Sequence, residues 1–176
     1  MAKKLLDIRQ TDQLKKTSCW AACGRVINNF FALTNKKRKT FDSDIDFGNA
    51  VGMNIDKYEN IEQALVHEDI KCYGGQDDTG NIPTFQEIKE SIDGNEPIAV
   101  CVSVKEVKYP ENVKDGHYIL IVGYDDDGKK IYIMDPDPRV NNVVPIPYSP
   151  NVYEIGFDIP KQYWGVTYYT EDGIKK

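Results

Sequence analysis

An α+β fold is what this sequence predicts, and two patterns carry the prediction. Apolar residues in the first half recur at helical spacing, whereas the second half holds nearly continuous apolar runs bounded by turn residues. Helices first and strands afterwards is the segregated order in which a helical layer packs against an antiparallel sheet. At 176 residues the chain suits one domain over 1–176, with a mainly helical half (1–95) and a mainly β half (96–176).

Taken in order, the residues before Gln13 form a short arm. Ser18 is a good N-cap, since its hydroxyl can accept a bond from an orphan N–H of the first helical turn. The helix that follows shows Val26, Ile27, Phe30 and Phe31 on one apolar stripe. The basic run 35–39 reads as a solvated loop near a helix C-terminus, where cations are favoured. A short helix is expected within 42–53, around Phe47 and Val51, and another over 56–68, with Tyr58, Ile61, Leu65 and Val66 at helical spacing. His67 ends that helix as an exposed residue. Residues 70–73 form a short strand closed by Gly74 and Gly75. Thr84 and Glu87 fit a capping box, and the helix they start stops at Gly94. Strands then follow over 97–104, 116–124, 130–134 and 163–169. Asp125 to Gly128 is a hairpin turn. It is no calcium loop, because Lys129 and Pro136 stand where an oxygen ligand and a Glu are required.

The formal net charge of −6 argues against nucleic acid or an anionic membrane as partner. No apolar run has transmembrane length. Residues 1–10 lack an apolar signal core, which fits a cytoplasmic protein or one exported without a cleavable signal. The four cysteines, Cys19, Cys23, Cys72 and Cys101, are expected as free thiols, with Cys72 and Cys101 as small core residues. Three residues between Cys19 and Cys23 is not a zinc spacing and only two histidines exist, so neither metal nor cofactor is expected.

The chemistry gathers at three places. Cys19 would open the first helix, where the dipole and the unpaired N–H groups favour a thiolate. Gln13, six residues upstream, is close enough for its amide to fold back beside the sulfur. His117 opens an apolar strand, where a lone polar ring needs a reason. Asp135 ends the next strand, and antiparallel neighbours could place its carboxylate beside His117, fixing the tautomer and stabilising the imidazolium.

Gln13, five intervening residues, then Cys19, Trp20 and two alanines resembles the opening signature of papain-like cysteine proteases. The later run from Gly116 and His117 to Val122, Gly123 and Tyr124 resembles the histidine strand of the same family. Asp135 before Pro136 matches many bacterial members, which carry Asp-Pro where plant and animal members carry Asn. The chain is similar to compact bacterial forms, such as bacteriocin-leader peptidases and papain-like effector proteases, although Trp20 replaces the Gly that leader peptidases usually carry. The resemblance implies a papain-like fold and a Cys19 nucleophile paired with His117. It also implies an Asp135 orienter, a Gln13 oxyanion donor, Trp20 at the substrate and a polypeptide substrate cleaved at a peptide or isopeptide bond. A transglutaminase-like acyltransferase would use the same triad, and a peptide-binding module without catalysis is a third reading.

Overall fold

The computed structural model describes residues 1–74, 82–103, 116–150 and 163–175. Along them run β1 (Lys3–Leu5), α1 (Cys19–Ala32), α2 (Asp44–Ala50), α3 (Ile61–His67), β2 (Ile70–Gly74) and α4 (Phe85–Asp93). β3 (Ile98–Ser103), β4 (Gly116–Asp125), β5 (Lys130–Met134), β6 (Val144–Pro147) and β7 (Tyr163–Asp172) complete the order. The strands form one sheet, β2-β7-β3-β4-β5-β6, with β1 beside β4, and every pairing is antiparallel. The fold is therefore α+β, as expected.

β3 is buried along its whole length, which is why it reads as an unbroken apolar run rather than an alternating one. α1 packs on α2, α3 and β4, and α4 packs on β4. Gly24 lets α1 and α2 approach: a Cβ there would lie 2.6 Å from the Phe47 ring. The α4 capping box forms as predicted, with Thr84 and Glu87 each serving the other's backbone N–H, and Gly94 is the C-cap.

Some elements differ from the expectation. The N-terminal arm contains β1, which pairs Lys3 to Leu5 with Asp125 to Gly123 of β4. Two lysines and an exposed Leu5 show no apolar alternation, so the strand exists only because β4 outruns β3 at that end. Gly123 admits it, since a Cβ would come within 2.7 Å of the Lys4 carbonyl oxygen. β6 was not anticipated either. With β1 and β2 in the sheet, the helical and β halves interleave more than the pattern suggests. The helix predicted over 56–68 begins at Ile61 and not near Asp56, because Asn60 caps it there, its side chain accepting the Glu62 N–H at 2.8 Å. Gly75 and Val104, placed at strand ends from the sequence, lie outside the described residues.

The basic run is not simply solvated. Lys36, Lys37 and Lys39 are exposed, but Asn35 and Arg38 are buried. Arg38 donates to Asn28 Oδ1 at 2.9 Å, the Glu68 carbonyl at 2.6 Å and Asp172 Oδ1 at 2.5 Å. Asn35 Nδ2 donates to Asp172 Oδ2 at 2.8 Å. This cluster ties the end of α1 to the ends of α3 and β7. Burial raises the Asp172 pKa, but the Arg38 and Asn35 bonds outweigh it and hold the group below the usual carboxylate range.

Replacing Arg38 leaves the half-buried Asp172 carboxylate without its cation. Arg38→Met is expected to lower unfolding stability by about 1.5–3 kcal/mol in urea titration at pH 7. The depressed Asp172 pKa means that the wild-type contribution is present above pH ~4 and fades as pH falls through the folded-state value. The Arg38→Met stability deficit should therefore shrink at low pH. A deficit that persists unchanged at pH 2 would contradict the ion-pair account.

Candidate active site

Cys19 is the first residue of α1 and is 2 % exposed. Its position leaves its backbone N–H without an intrahelical acceptor. One turn on, Cys23 is fully buried, and its Sγ donates to the Tyr118 carbonyl at 3.4 Å. That contact seats α1 on β4 immediately beside His117. Burial pushes the Cys23 thiol well above its ordinary pKa and Cys101 up to about 12, so neither offers a thiolate near neutrality. Cys72 is only half-buried, less enclosed than a core residue, and burial also raises it to about 12.

His117 lies near the start of β4, and Asp135 directly follows Met134 of β5. Met134 is in register with Leu120, so the hairpin brings the carboxylate back alongside the ring. His117 Nε2 lies 2.6 Å from Asp135 Oδ1, and Cys19 is near enough to the same ring to favour its charged form. Asp135 is 1 % exposed, and its Oδ1 also accepts the Asp137 N–H at 2.9 Å. Burial alone would lower the His117 pKa. The Asp135 and then the Cys19 hydrogen bonds outweigh it, and the ring sits at about 10 against an ordinary 6.5. The arrangement can hold a proton between a thiol and a carboxylate at neutral pH, which is what nucleophilic sulfur chemistry requires.

The segment before Cys19 is strapped at both ends. Gln10 Nε2 donates to the Asp135 carbonyl at 2.5 Å, and the Gln13 N–H donates to the Pro136 carbonyl at 2.7 Å. The Gln13 Nε2 amide donates to the carbonyls of Lys15 at 2.8 Å and Lys16 at 3.1 Å, while its Oε1 is buried without a partner. The amide is thus held in the turn that leads to Cys19. Ser18 precedes α1 but does not cap it through its side chain. Its Oγ turns instead to the buried Asp44, at 2.8 Å.

Trp20 is not available to a substrate. It is fully buried, its Nε1 donating to the Lys57 carbonyl at 3.0 Å and its ring lying 6.4 Å from that of Phe47. A large aromatic one residue into a helix that faces the core satisfies its N–H and packs inward. His67 stays exposed at the end of α3, as expected, 3.4 Å from Glu68. Gln10 and Asp44 escaped sequence reasoning because their partners are 125 and 30 residues away, and no spacing rule links them. A cavity of about 480 Å³, lined by Leu5, Phe30, Leu33 and Glu96 among others, lies at the opposite end of α1 from this chemistry.

The Peptidase_C39 like family model matches residues 5–163 of the chain. A crystal structure from Bacillus anthracis, assigned as a C39-like peptidase, superposes with a TM-score of 0.59. It covers 99 % of this chain and 100 % of its own at 13 % identity, a similarity of fold. No curated protein sequence matches the chain.

The raised His117 pKa has a direct readout. In an NMR titration its ring protons should move with a midpoint near pH 10. Cys19→Ala and Asp135→Ala should each lower that midpoint, because each removes a partner that favours the imidazolium. The stabilising contribution of this proton is complete below pH ~6.5 and is lost between there and about pH 10. A wild-type midpoint near 6.5 would remove the basis for a coupled ring.

Proposed function

The chain belongs to the Peptidase_C39 like family, and from that premise we propose that it is a cysteine peptidase cleaving peptide or isopeptide bonds with Cys19, His117 and Asp135. The observation that carries the reading is the His117 ring, 2.6 Å from the buried Asp135 carboxylate and with its charged form favoured by Cys19 as well. The whole chain, 1–176, is read as one catalytic domain.

The Cys19 thiolate attacks the scissile carbonyl carbon, forming an S–C bond and moving an electron pair onto oxygen. The Cys19 backbone N–H at the start of α1 and the Gln13 amide are the proposed donors to that oxyanion. For Gln13 to donate, one of its bonds to the Lys15 and Lys16 carbonyls must be given up. The tetrahedral species collapses, the C–N bond breaks, and the amine leaves with the proton of the His117 imidazolium. Water, losing a proton to His117, then attacks the thioester and releases the acid and the Cys19 thiolate. Asp135 holds the ring throughout and stabilises its charged form. The same residues would serve transfer of the acyl group to an amine, but the family assignment favours water as acceptor.

Mass spectrometry of a peptide library incubated with the protein, with and without added amine, tests the reaction type. Hydrolysis products should dominate in both samples. Cys19→Ala should abolish turnover, whereas Cys23→Ala should keep most of it. Asp135→Ala should lower kcat more than it raises KM, and Asp135→Asn should be milder. Gln13→Ala should cut hydrolysis by a factor of ~10²–10³ while leaving Cys19 alkylation by iodoacetamide near wild type, since alkylation forms no oxyanion. Amine adducts as the main product, or full activity in Cys19→Ala, would overturn the proposal.

A further inference from the structure

Between Gln13 and Cys19 the chain makes no strand or helix, yet it must present a thiol and two hydrogen-bond donors in fixed relation. What fixes it is Asp44, at the start of α2. Its side chain is 1 % exposed. Its Oδ2 accepts the Leu14 N–H at 2.8 Å and the Ser18 hydroxyl at 2.8 Å. Its Oδ1 accepts from Arg25 Nη2 at 3.1 Å and Nε at 3.3 Å. Ser18 Oγ in turn accepts the Lys15 N–H at 3.0 Å. One carboxylate therefore holds the residue after Gln13, the residue before Cys19 and an arginine of α1, while its hydroxyl partner fixes the turn between. The Arg25 pair balances the charge of this buried carboxylate beside the loop that carries Cys19.

We propose that Asp44 is a positioning residue that sets the geometry of the oxyanion donors, Gln13 and the Cys19 N–H, relative to the sulfur. The proposal rests on the cysteine-peptidase reading above. It touches neither the substrate nor His117. Its effect should therefore appear where an oxyanion is bound and not where the thiolate alone reacts. A misplacement on the order of 1 Å in such donors costs about 10²-fold in the reaction they serve, whereas proton sharing between Cys19 and His117 depends on other contacts.

The test compares two probes on the whole protein. A peptide aldehyde forms a hemithioacetal with Cys19, adding S–C and passing the proton to oxygen, and that oxygen occupies the oxyanion position. Iodoacetamide reads the thiolate alone. Asp44→Ala should weaken aldehyde binding by about 10- to 100-fold, with the rate and pH profile of alkylation near wild type. Asp44→Asn should recover much of the loss, since its amide oxygen can still accept the Leu14 N–H. Ser18→Ala keeps the Asp44–Arg25 pair, so it serves if Asp44→Ala fails to fold, and it should show the same split. Unchanged aldehyde binding in folded variants, or equal losses with both probes, would overturn the positioning role. A wild type that takes up no aldehyde and alkylates as an ordinary thiol would end the peptidase reading and this proposal with it.

Discussion

The pairing of the His117 ring with the buried Asp135 carboxylate is the interaction on which the rest of the structure depends. Burial by itself expels charge from an imidazole, so the ring stays protonated only while both partners, Cys19 and Asp135, remain within hydrogen-bond reach. Those partners sit on α1 and just past β5, and the ring sits on β4. Their meeting depends on the register of a hairpin and on the seating of one helix upon it. A one-residue slip of β5 against β4 would turn Met134 and Asp135 to opposite faces and leave a charge uncompensated.

The apolar core supplies the bulk of that seating, and polar clusters supply its exactness. Leucine and isoleucine pack in many ways, so apolar contacts alone fix a helix loosely. Arg38 with Asp172 at one end of α1, and Arg25 with Asp44 near the other, admit far fewer arrangements. The Cys23 thiol on the Tyr118 carbonyl adds a contact directly over β4. The stretch from Gln10 to Ser18 is tied to α2 on one side and to Asp135 and Pro136 on the other. Cys19, His117 and Asp135 are thus linked by backbone as well as by side chains.

The family model covers most of the chain and the fold is that of the Bacillus anthracis structure, although little sequence is shared with it. Low identity over a full-length superposition is what results when a fold is kept while much of its sequence varies.

How much was legible follows from the range of each interaction. Capping of α4 involves residues three apart, and Thr84, Glu87 and Gly94 announced it. β3 and β4 are buried almost throughout, so their apolar runs were plain. Cys19, His117 and Asp135 stood out because each sat at an element boundary in a motif of fixed order. Their proximity is what the fold supplied. β1 carried no signal of its own, being made by the free end of β4. Trp20 and Arg38 went the other way: both looked accessible in sequence, and packing buried them. Asp44 was one acid among many. Local patterning, in short range, determined the elements and the chemistry they could hold. Only the tertiary structure decided which polar groups would lie 30 to 137 residues from their partners in sequence and yet within 3 Å in space, because burial makes each of them find one.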